Sequence, residues 1–518
     1  MKQVLQNLKS GETTVEEVPS PILRPGFVLV HNHYSLISAG TEGGTVRLGQ
    51  AGFLGKARQR PEQLKKVIQT IKTEGFWTTY QAVQRTLEVP IPMGYCTAGE
   101  VVEVGEGVAG VVPGDLVACG GAAWTVHAEM ICVPKNLVIK VPRDADLRYM
   151  AFTTLGSIAM QGVRVADVRL GENVVVIGLG LVGLITVEVL RVAGCSVFGV
   201  DVSPERVNFA VDNNYCQASL RSSPNLLEQI AAFTSGKGAD AIIIAAAAPN
   251  NDPVVLAGEI ARYKAKVVAV GRTVMDAPRE TYLFKELELR TSLAYGPGTG
   301  DQQYEEKGFD YPLGYVRWTE GRNMEAFTKM VASGQVRLEK LITHEFPIED
   351  AGEAYDLVSG KTEGFSIAML LKYPVPKRTN GTMRVELLKY KACGVKRNVR
   401  VRVGVIGAGS FATSFMLPTL ARSSGVDFTG IASATGVKAQ SLGKQYGFDF
   451  CASKAEEVIA DRSTDCIFIL TRHDSHAALS AAALRSGKDV YVEKPMAMTI
   501  EQLEDVMAAQ RESGKNIM

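Results

Sequence analysis

The sequence predicts an α/β chain built from a β-rich domain, a doubly wound dinucleotide-binding domain and a second, incomplete unit of the same kind. Three observations predict it. The apolar run Val174-Val-Val-Ile177 stops at Gly178, Gly180 and Gly183 and continues with helical spacing; a similar run begins at Val401 and turns at Gly407 and Gly409; and residues 1 to 145 read as short β-type runs separated by Gly and Pro. With 518 residues the chain is too long for one core, and about 150 residues per domain suggests three or so.

The first turn carries the most chemistry. An apolar strand delivers Gly178 into a tight turn, Gly180 lets the backbone approach a pyrophosphate, and Gly183 allows close packing of strand and helix. The free N–H groups of the following helix, beginning with Leu181 and Val182, attract phosphate charge. About 20 residues on, Val197-Phe-Gly-Val-Asp201 reads as a second strand ending in a carboxylate, as the fingerprint requires. Asp201 is expected to hold the adenosine ribose hydroxyls and to repel a 2'-phosphate, which favours NAD over NADP. Arg206 is a candidate to lie against the adenine. The plainer alternative is a buried parallel strand with an incidental glycine turn.

The remaining elements follow in order. In the β-rich region, runs such as Phe27-Val-Leu-Val-His-Asn-His33 and Gly99 to Gly105 suggest a small barrel. His31 and His33 share one face of their strand and, lacking a third ligand nearby, read as solvated histidines rather than metal ligands. Leu64, Val67, Ile68 and Ile71 give residues 61 to 71 the spacing of an amphipathic helix, either an insertion packed on the β domain or a lid. Residues 146 to 295 alternate strands and helices, with strands expected at 174–177, 197–201, 241–245 and 266–270. A Gly-rich polar stretch runs from Tyr295 to Asp310, and a closing strand is expected near 367–371. Residues 374 to 400, with Pro374, Pro376, Gly381 and many basic residues, read as an interdomain linker. Beyond them, strands at 428–433, 466–470 and 489–492 follow the turn at 407–412.

Composition narrows the function classes. Lys plus Arg total 56 against 55 Asp plus Glu, without long charge blocks, so no global field recruits nucleic acid or an anionic membrane. The greasiest window, residues 174 to 193, is interrupted by glycines, Glu188 and Arg191 and predicts no membrane span. Eight cysteines without a CxxC pair suit reduced, buried thiols. The expectation is a soluble cytoplasmic protein.

Residues 1 to 373 resemble the medium-chain dehydrogenase/reductase superfamily. The resemblance rests on Gly99 to Gly105, the Gly114-Asp-Leu-Val117 strand start, His127-Ala-Glu129, the fingerprint at 178–183, Lys285-Glu-Leu287 and Ile342-Thr-His-Glu-Phe-Pro347. It implies a GroES-like domain over 1–145 and 296–373, and an NAD-binding Rossmann domain over 146–295. Zinc is not expected. Where zinc members of that superfamily have Ile-Cys-Gly-Thr-Asp this chain has Ile37-Ser-Ala-Gly-Thr-Glu42, and their Gly-His-Glu becomes Gly94-Tyr-Cys96. Cys96, Cys119 and His127 match no metal-ligand spacing. Alkoxide stabilisation would then fall to hydrogen-bond donors such as Tyr95, Ser38 or Thr41, with Tyr95 standing at a metal-binding position.

Residues 401 to 518 resemble the N-terminal part of the glucose-fructose oxidoreductase and inositol dehydrogenase family. Thr471, His476, Gly487-Lys488 and Val492-Glu-Lys-Pro495 carry the resemblance. It implies a second Rossmann domain that takes NAD or NADP through Gly407, Gly409, Ser410, Phe411, Ala412, Ser433, Thr471 and Glu493. Lys494 is the implied catalyst of that half, stabilising the alkoxide, with His476 beside it. Arg472 stands where Pro is usual, and Ser433 with Lys438 replaces the acid at the second strand. The family's C-terminal domain does not follow, so the second unit is read as truncated.

The whole resembles fusion oxidoreductases found with bacterial surface-polysaccharide genes, with Tyr311 to Met324 as a signature of the group. The implied activity is hydride transfer between a nicotinamide and an alcohol or carbonyl of a sugar or nucleotide-sugar. Candidate substrate contacts are Tyr95, His127, Tyr295, Tyr315 and Arg317, with Arg317 and Arg322 able to grip a phosphate or carboxylate. The alternatives are a zinc-free quinone or enoyl-type reductase and a non-catalytic nucleotide-binding scaffold. The partner expected is a small molecule, neither nucleic acid nor membrane, and a homo-oligomer is the default assembly.

Overall fold

The computed structural model describes residues 1–50, 69, 90–122, 124–374, 383–387 and 400–518, without the side chains of 45 and 47–50. Nearly all of the helix expected at 61–71, and most of the linker expected at 374–400, lie outside the described residues. The chain divides into two compact units, one of Leu23–Arg47 and Met93–Val375, the other of Met1–Ile22, Leu48–Pro92 and Pro376–Met518.

In the first unit a six-stranded parallel sheet has the order Gln217–Leu220, Ser196–Asp201, Asn173–Ile177, Ala239–Ile244, Ala261–Ala269, Glu288–Thr291. Its central strands are near-continuous Val, Ile and Ala because helices cover both faces. The strand order reverses between Asn173–Ile177 and Ala239–Ile244, and a cofactor crevice opens at such a switch point. The two edge strands, mixed in polarity, carry no strong period. Before this sheet lies the helix Thr153–Ala166, whose Gly156 admits the ring of Phe327 where a Cβ would sit 2.2 Å from it.

The β-rich part of this unit is a seven-stranded sheet. Phe27–Ile37 is its long central strand, pairing with Cys96–Val104, Met130–Pro134 and Ala368–Lys372, while Leu116–Gly120, Val138–Lys140 and Ile342–Pro347 complete it. Its inward residues Val28, Val30, Leu36, Ile37, Ala98 and Val117 are fully buried, while register shifts near Leu29 and Asn32 bend the central strand as barrels require.

In the second unit a six-stranded sheet runs Arg384–Glu386, Phe450–Ala452, Val426–Ala432, Val401–Ile406, Cys466–Ile469, Asp489–Val492. All its pairings are parallel except that of the first strand, which comes from within the expected linker. The N-terminal hairpin Lys2–Gln6 and Thr13–Glu17 belongs to this unit, although its residues read in sequence as part of the 1–145 domain. Leu5 and Val18 pack on Val437, Gln440 Nε2 donates to the Glu17 carbonyl, and Lys444 pairs with Glu16 at 2.7 Å. The physical reason is an apolar seam closed by polar anchors, spread too far along the chain for any local pattern to show. Among the described residues no helix is long and apolar enough to cross a membrane.

Candidate functional site

At the first glycine turn the three glycines have three separate reasons. Gly178 has φ +102°, and a Cβ there would lie 2.6 Å from the Ala246 nitrogen. A Cβ on Gly183 would lie 1.8 Å from the Gly178 carbonyl oxygen, so helix and turn touch backbone to backbone. Around Gly180 the space is open, with only Arg206 Nη1 within 4 Å of a Cβ, at 3.9 Å. Gly180 also precedes the helix Leu181–Val192 and no side chain caps it, which leaves the first-turn N–H groups, those of Leu181 and Val182 included, facing that space. The cradle fits a dinucleotide pyrophosphate. Asp201 is 5% exposed; its Oδ2 accepts from the Leu179 N–H at 2.6 Å and its Oδ1 from the Ser203 N–H at 2.9 Å. The carboxylate therefore fastens the glycine turn as well as ending the strand, with lone pairs left over for a ribose.

The second turn repeats the plan more loosely. Gly407 has φ +109° and a Cβ there would meet the Leu470 carbonyl oxygen at 2.5 Å, whereas Gly409 has nothing within 4 Å. Ala412 is fully buried, while Ser410 and Phe411 are exposed. Ser433 is half-buried beyond the second strand, its N–H donating to the Ala452 carbonyl, and Thr471 Oγ1 receives the Ser475 hydroxyl at 2.7 Å. Lys494 is exposed just past the strand Asp489–Val492, and Glu493 accepts from the Lys494 N–H at 3.1 Å. His476 differs from expectation. It is fully buried, with Nδ1 2.8 Å from the Pro495 carbonyl oxygen and Nε2 3.2 Å from that of Thr471, so it ties two loops together.

In the β-rich part a polar cluster gathers around Tyr95. Its hydroxyl donates to Thr41 Oγ1 at 3.4 Å, and Thr41 is exposed while Tyr95 is buried. Burial pushes the Tyr95 phenol far above its ordinary range, so it stays neutral and serves as a hydrogen-bond donor. Behind this pair the Glu42 side chain folds back onto its own turn, Oε1 accepting from the Ser38 N–H at 2.8 Å. Glu42 Oε2 lies 3.0 Å from His127 Nε2 and also accepts from the Tyr355 hydroxyl; His127 Nδ1 lies 2.7 Å from Ser35 Oγ, which in turn meets the Tyr373 hydroxyl at 2.7 Å. His127 is fully buried and both its ring nitrogens are engaged, which removes it from the surface where a substrate contact was expected.

In place of the thiolate and imidazole of a zinc site, Ser38 and Tyr95 offer neutral hydroxyls, while Cys96 and Cys119 are buried thiols. Among the described residues no three His, Cys, Asp or Glu side chains are grouped to hold a metal ion.

The remaining sequence candidates separate. Tyr295 is buried, its carbonyl accepting from Asn323 Nδ2 at 2.9 Å. Tyr315 stands 90% exposed in a turn where its N–H donates to the Pro312 carbonyl. Arg317 stacks on Trp318 with its guanidinium carbon 3.7 Å from the ring centroid. Arg322 is not available as an anion grip, since it pairs with Asp310 at 2.5 Å and donates to the Val316 and Tyr311 carbonyls. Sequence reasoning missed Ser35, Tyr355 and Tyr373, which no motif marks and which lie up to 338 positions from their partners.

Comparison with known proteins assigns the architecture. The alcohol dehydrogenase GroES-like domain model matches residues 67–143, the zinc-binding dehydrogenase model 182–307, and the oxidoreductase family, NAD-binding Rossmann fold model 401–518. An alcohol dehydrogenase-type chain is here fused to an oxidoreductase-family Rossmann domain. Among curated relatives, a probable D-xylulose reductase A of Aspergillus terreus is 27% identical over 324 residues, covering 55% of this chain and 84% of its own length. Sorbitol dehydrogenase 1 of Saccharomyces cerevisiae is 26% identical over 305 residues, covering 52% and 78%. The fold is similar to that of an alcohol dehydrogenase from Thermus sp. ATN1, with TM-score 0.55 and 22% identity over 72% of this chain and 100% of that one. The fused chain is an NAD(P)-dependent oxidoreductase that acts on alcohols.

Proposed function

We propose that the fused chain oxidises a hydroxyl of a sugar or polyol, or reduces the matching carbonyl, with NAD bound at the first glycine turn and without catalytic zinc. The observation that carries this reading is the Tyr95–Thr41 pair, a neutral donor and an exposed hydroxyl where a metal ligand stands in zinc relatives. The sugar or polyol class is supported by the relatives named a D-xylulose reductase and a sorbitol dehydrogenase.

The residues that would hold NAD are Gly178, Gly180, Gly183 and the first-turn N–H groups for the pyrophosphate, Asp201 for the ribose and Arg206 at the adenine side. When bound, NAD supplies the hydride acceptor at the nicotinamide. Tyr95 and Thr41 then orient the substrate oxygen and stabilise the negative charge it carries once its O–H proton has passed to solvent and before the hydride leaves carbon; in the reduction direction that charge grows as the C–H bond forms. Glu42 closes the turn that carries Ser38 and Thr41, and His127, Ser35, Tyr355 and Tyr373 hold Glu42 in place. These five act through the hydroxyls in front of them and are positioning residues. In the second unit, Lys494 would serve a bound NAD or NADP in the same electrostatic way, with Glu493, Ser433 and Thr471 around the cofactor.

We place this chemistry in surface-polysaccharide biosynthesis, on the likeness of the fused arrangement to enzymes of that setting. The free, largely buried cysteines suit a reducing compartment, the cytoplasm. The test is steady-state oxidation of a panel of polyols and nucleotide sugars with NAD, comparing wild type with Tyr95→Phe. Loss of one oxyanion donor should lower kcat by about 100-fold while NADH affinity stays unchanged. Full activity in Tyr95→Phe would remove Tyr95 from the reaction.

A further inference from the structure

Two guanidinium groups share one indole in this structure. Arg164 places its guanidinium carbon 3.3 Å from the Trp318 ring centroid and Arg317 places its own 3.7 Å from the same centroid. Both guanidinium carbons therefore lie against the same indole, and 3.3 Å plus 3.7 Å leaves them at most 7.0 Å apart. Neither arginine has a carboxylate partner among the described residues. Among the described residues the one hydrogen bond of the Arg164 side chain runs from Nε to Asn323 Oδ1 at 2.8 Å, and the fully buried Asn323 is anchored in turn to the Tyr295 carbonyl. The Trp318 indole N–H likewise donates to no described group.

Like charges set this close, one of them half-buried, repel each other and cost desolvation. Both effects pull Arg164 down from its ordinary range to about 10, burial being the larger. Several other arginines of this unit are neutralised: Arg148 pairs with Asp146, Arg191 and Arg337 with Glu188, Arg221 with Asp252, Arg262 with Asp240, Arg290 with Glu288, and Arg322 with Asp310. The Arg164–Arg317 pair is a cationic site that a dianion would complete.

We propose that Arg164, Trp318 and Arg317 bind a diphosphate-like anion carried by the substrate, which makes a nucleoside diphosphate sugar the substrate class. This rests on the reading of Tyr95 as the reacting end. Its placement follows from one helix. Thr154 of the helix Thr153–Ala166 donates to the Tyr95 carbonyl at 3.0 Å, and Arg164 comes ten residues later, about 15 Å along the axis. A sugar followed by a diphosphate spans that interval. The Tyr295 carbonyl accepts from the same Asn323 that holds Arg164. A planar arginine fork at the rim of an aromatic ring suits phosphate oxygens, because each guanidinium has Nη N–H groups without a hydrogen-bond partner among the described residues while its face lies against the indole.

The experiment uses the full chain saturated with NADH, which occupies the glycine turns, and inorganic pyrophosphate as the probe in calorimetric titration. Wild type should bind one pyrophosphate per chain in this state. Arg317→Gln and Arg164→Gln should each weaken it by about tenfold or more, the value of a charge-assisted hydrogen bond, while Arg511→Gln leaves it unchanged. Arg317 is exposed, so its variant reports even if Arg164→Gln folds poorly. No pyrophosphate binding, or equal binding in Arg317→Gln, overturns the site. With nucleotide sugars as substrates, a KM raised about tenfold in Arg317→Gln at nearly constant kcat assigns the anion to the substrate. Pyrophosphate binding undiminished by a saturating nucleotide sugar overturns that assignment. Failure of NADH to bind would instead defeat the function on which the inference rests, so the two failures are distinguishable.

Discussion

Asp201→Asn perturbs the cofactor turn at its most constrained atom. The carboxylate now accepts from two backbone N–H groups, Leu179 at 2.6 Å and Ser203 at 2.9 Å, in a position nearly closed to solvent. Asparagine keeps one acceptor oxygen and turns an NH2 toward the other N–H, leaving a buried donor unpaired at a cost of about 1–3 kcal/mol. The melting temperature of this domain should fall by about 2–4 °C per kcal/mol. The cofactor consequence has the opposite sign for NADPH. A unit charge about 4 Å from a carboxylate costs roughly 4 kcal/mol at an effective dielectric of 20, and solvent around a 2'-phosphate reduces this to about 1.4–2.8 kcal/mol, 10- to 100-fold in affinity. The assay is calorimetric titration of Asp201→Asn with NADH and NADPH in a Gly409→Trp background, which blocks the second turn. NADH binding should weaken while the ratio of the two dissociation constants moves 10- to 100-fold toward NADPH. An unchanged ratio would refute the ribose placement of Asp201.

Gly183→Ala puts a methyl 1.8 Å from the Gly178 carbonyl oxygen and should cost about 1–3 kcal/mol together with NAD binding; a variant that melts like wild type would contradict the backbone contact. Glu320 is fully buried with Oε1 unpartnered, and burial, aided by Glu305, pushes its carboxyl up to about 8. Because the folded value lies above the unfolded one, the folded state holds a proton that the unfolded state releases, so stability should fall as pH rises from about 4.5 to about 8. Glu320→Gln should flatten that part of the stability profile, and an unaltered profile in urea titrations from pH 5 to 9 would sink the assignment. Glu42→Gln should lower kcat while leaving NADH affinity intact, because the turn bearing Ser38 and Thr41 loses its charged clasp; equal kcat would show that the clasp does not position them.

Much of this architecture was legible because its signals are local. Both glycine turns, the acid at Asp201 and the strands at 174–177 and 197–201 are fixed by residues a few positions apart, where period and turn chemistry act directly. The cluster behind Tyr95 was not legible, since Ser35, Glu42, His127, Tyr355 and Tyr373 meet only after distant strands pair, and buried polar networks leave no period. His127 reads as a substrate contact and His476, through the motif it shares with the resembled family, as a catalyst; their burial and the partners of both ring nitrogens come from residues that no local pattern marks. Arg164 was invisible for a different reason. An arginine near the end of an amphipathic helix is ordinary, and its meaning comes from Trp318, more than 150 residues away. The N-terminal hairpin shows the limit of chain order, as its packing partners lie beyond residue 430.

The most direct measurement is NAD-dependent oxidation of polyols and nucleotide sugars by the exhaustively chelated full chain, beside Gly180→Trp and Gly409→Trp. Wild type and Gly409→Trp should keep their rate after chelation, and Gly180→Trp, whose indole would fill the open cradle of the first turn, should lose it. Activity that vanishes with the metal, or that survives in Gly180→Trp, would contradict a zinc-free site served by the first dinucleotide turn.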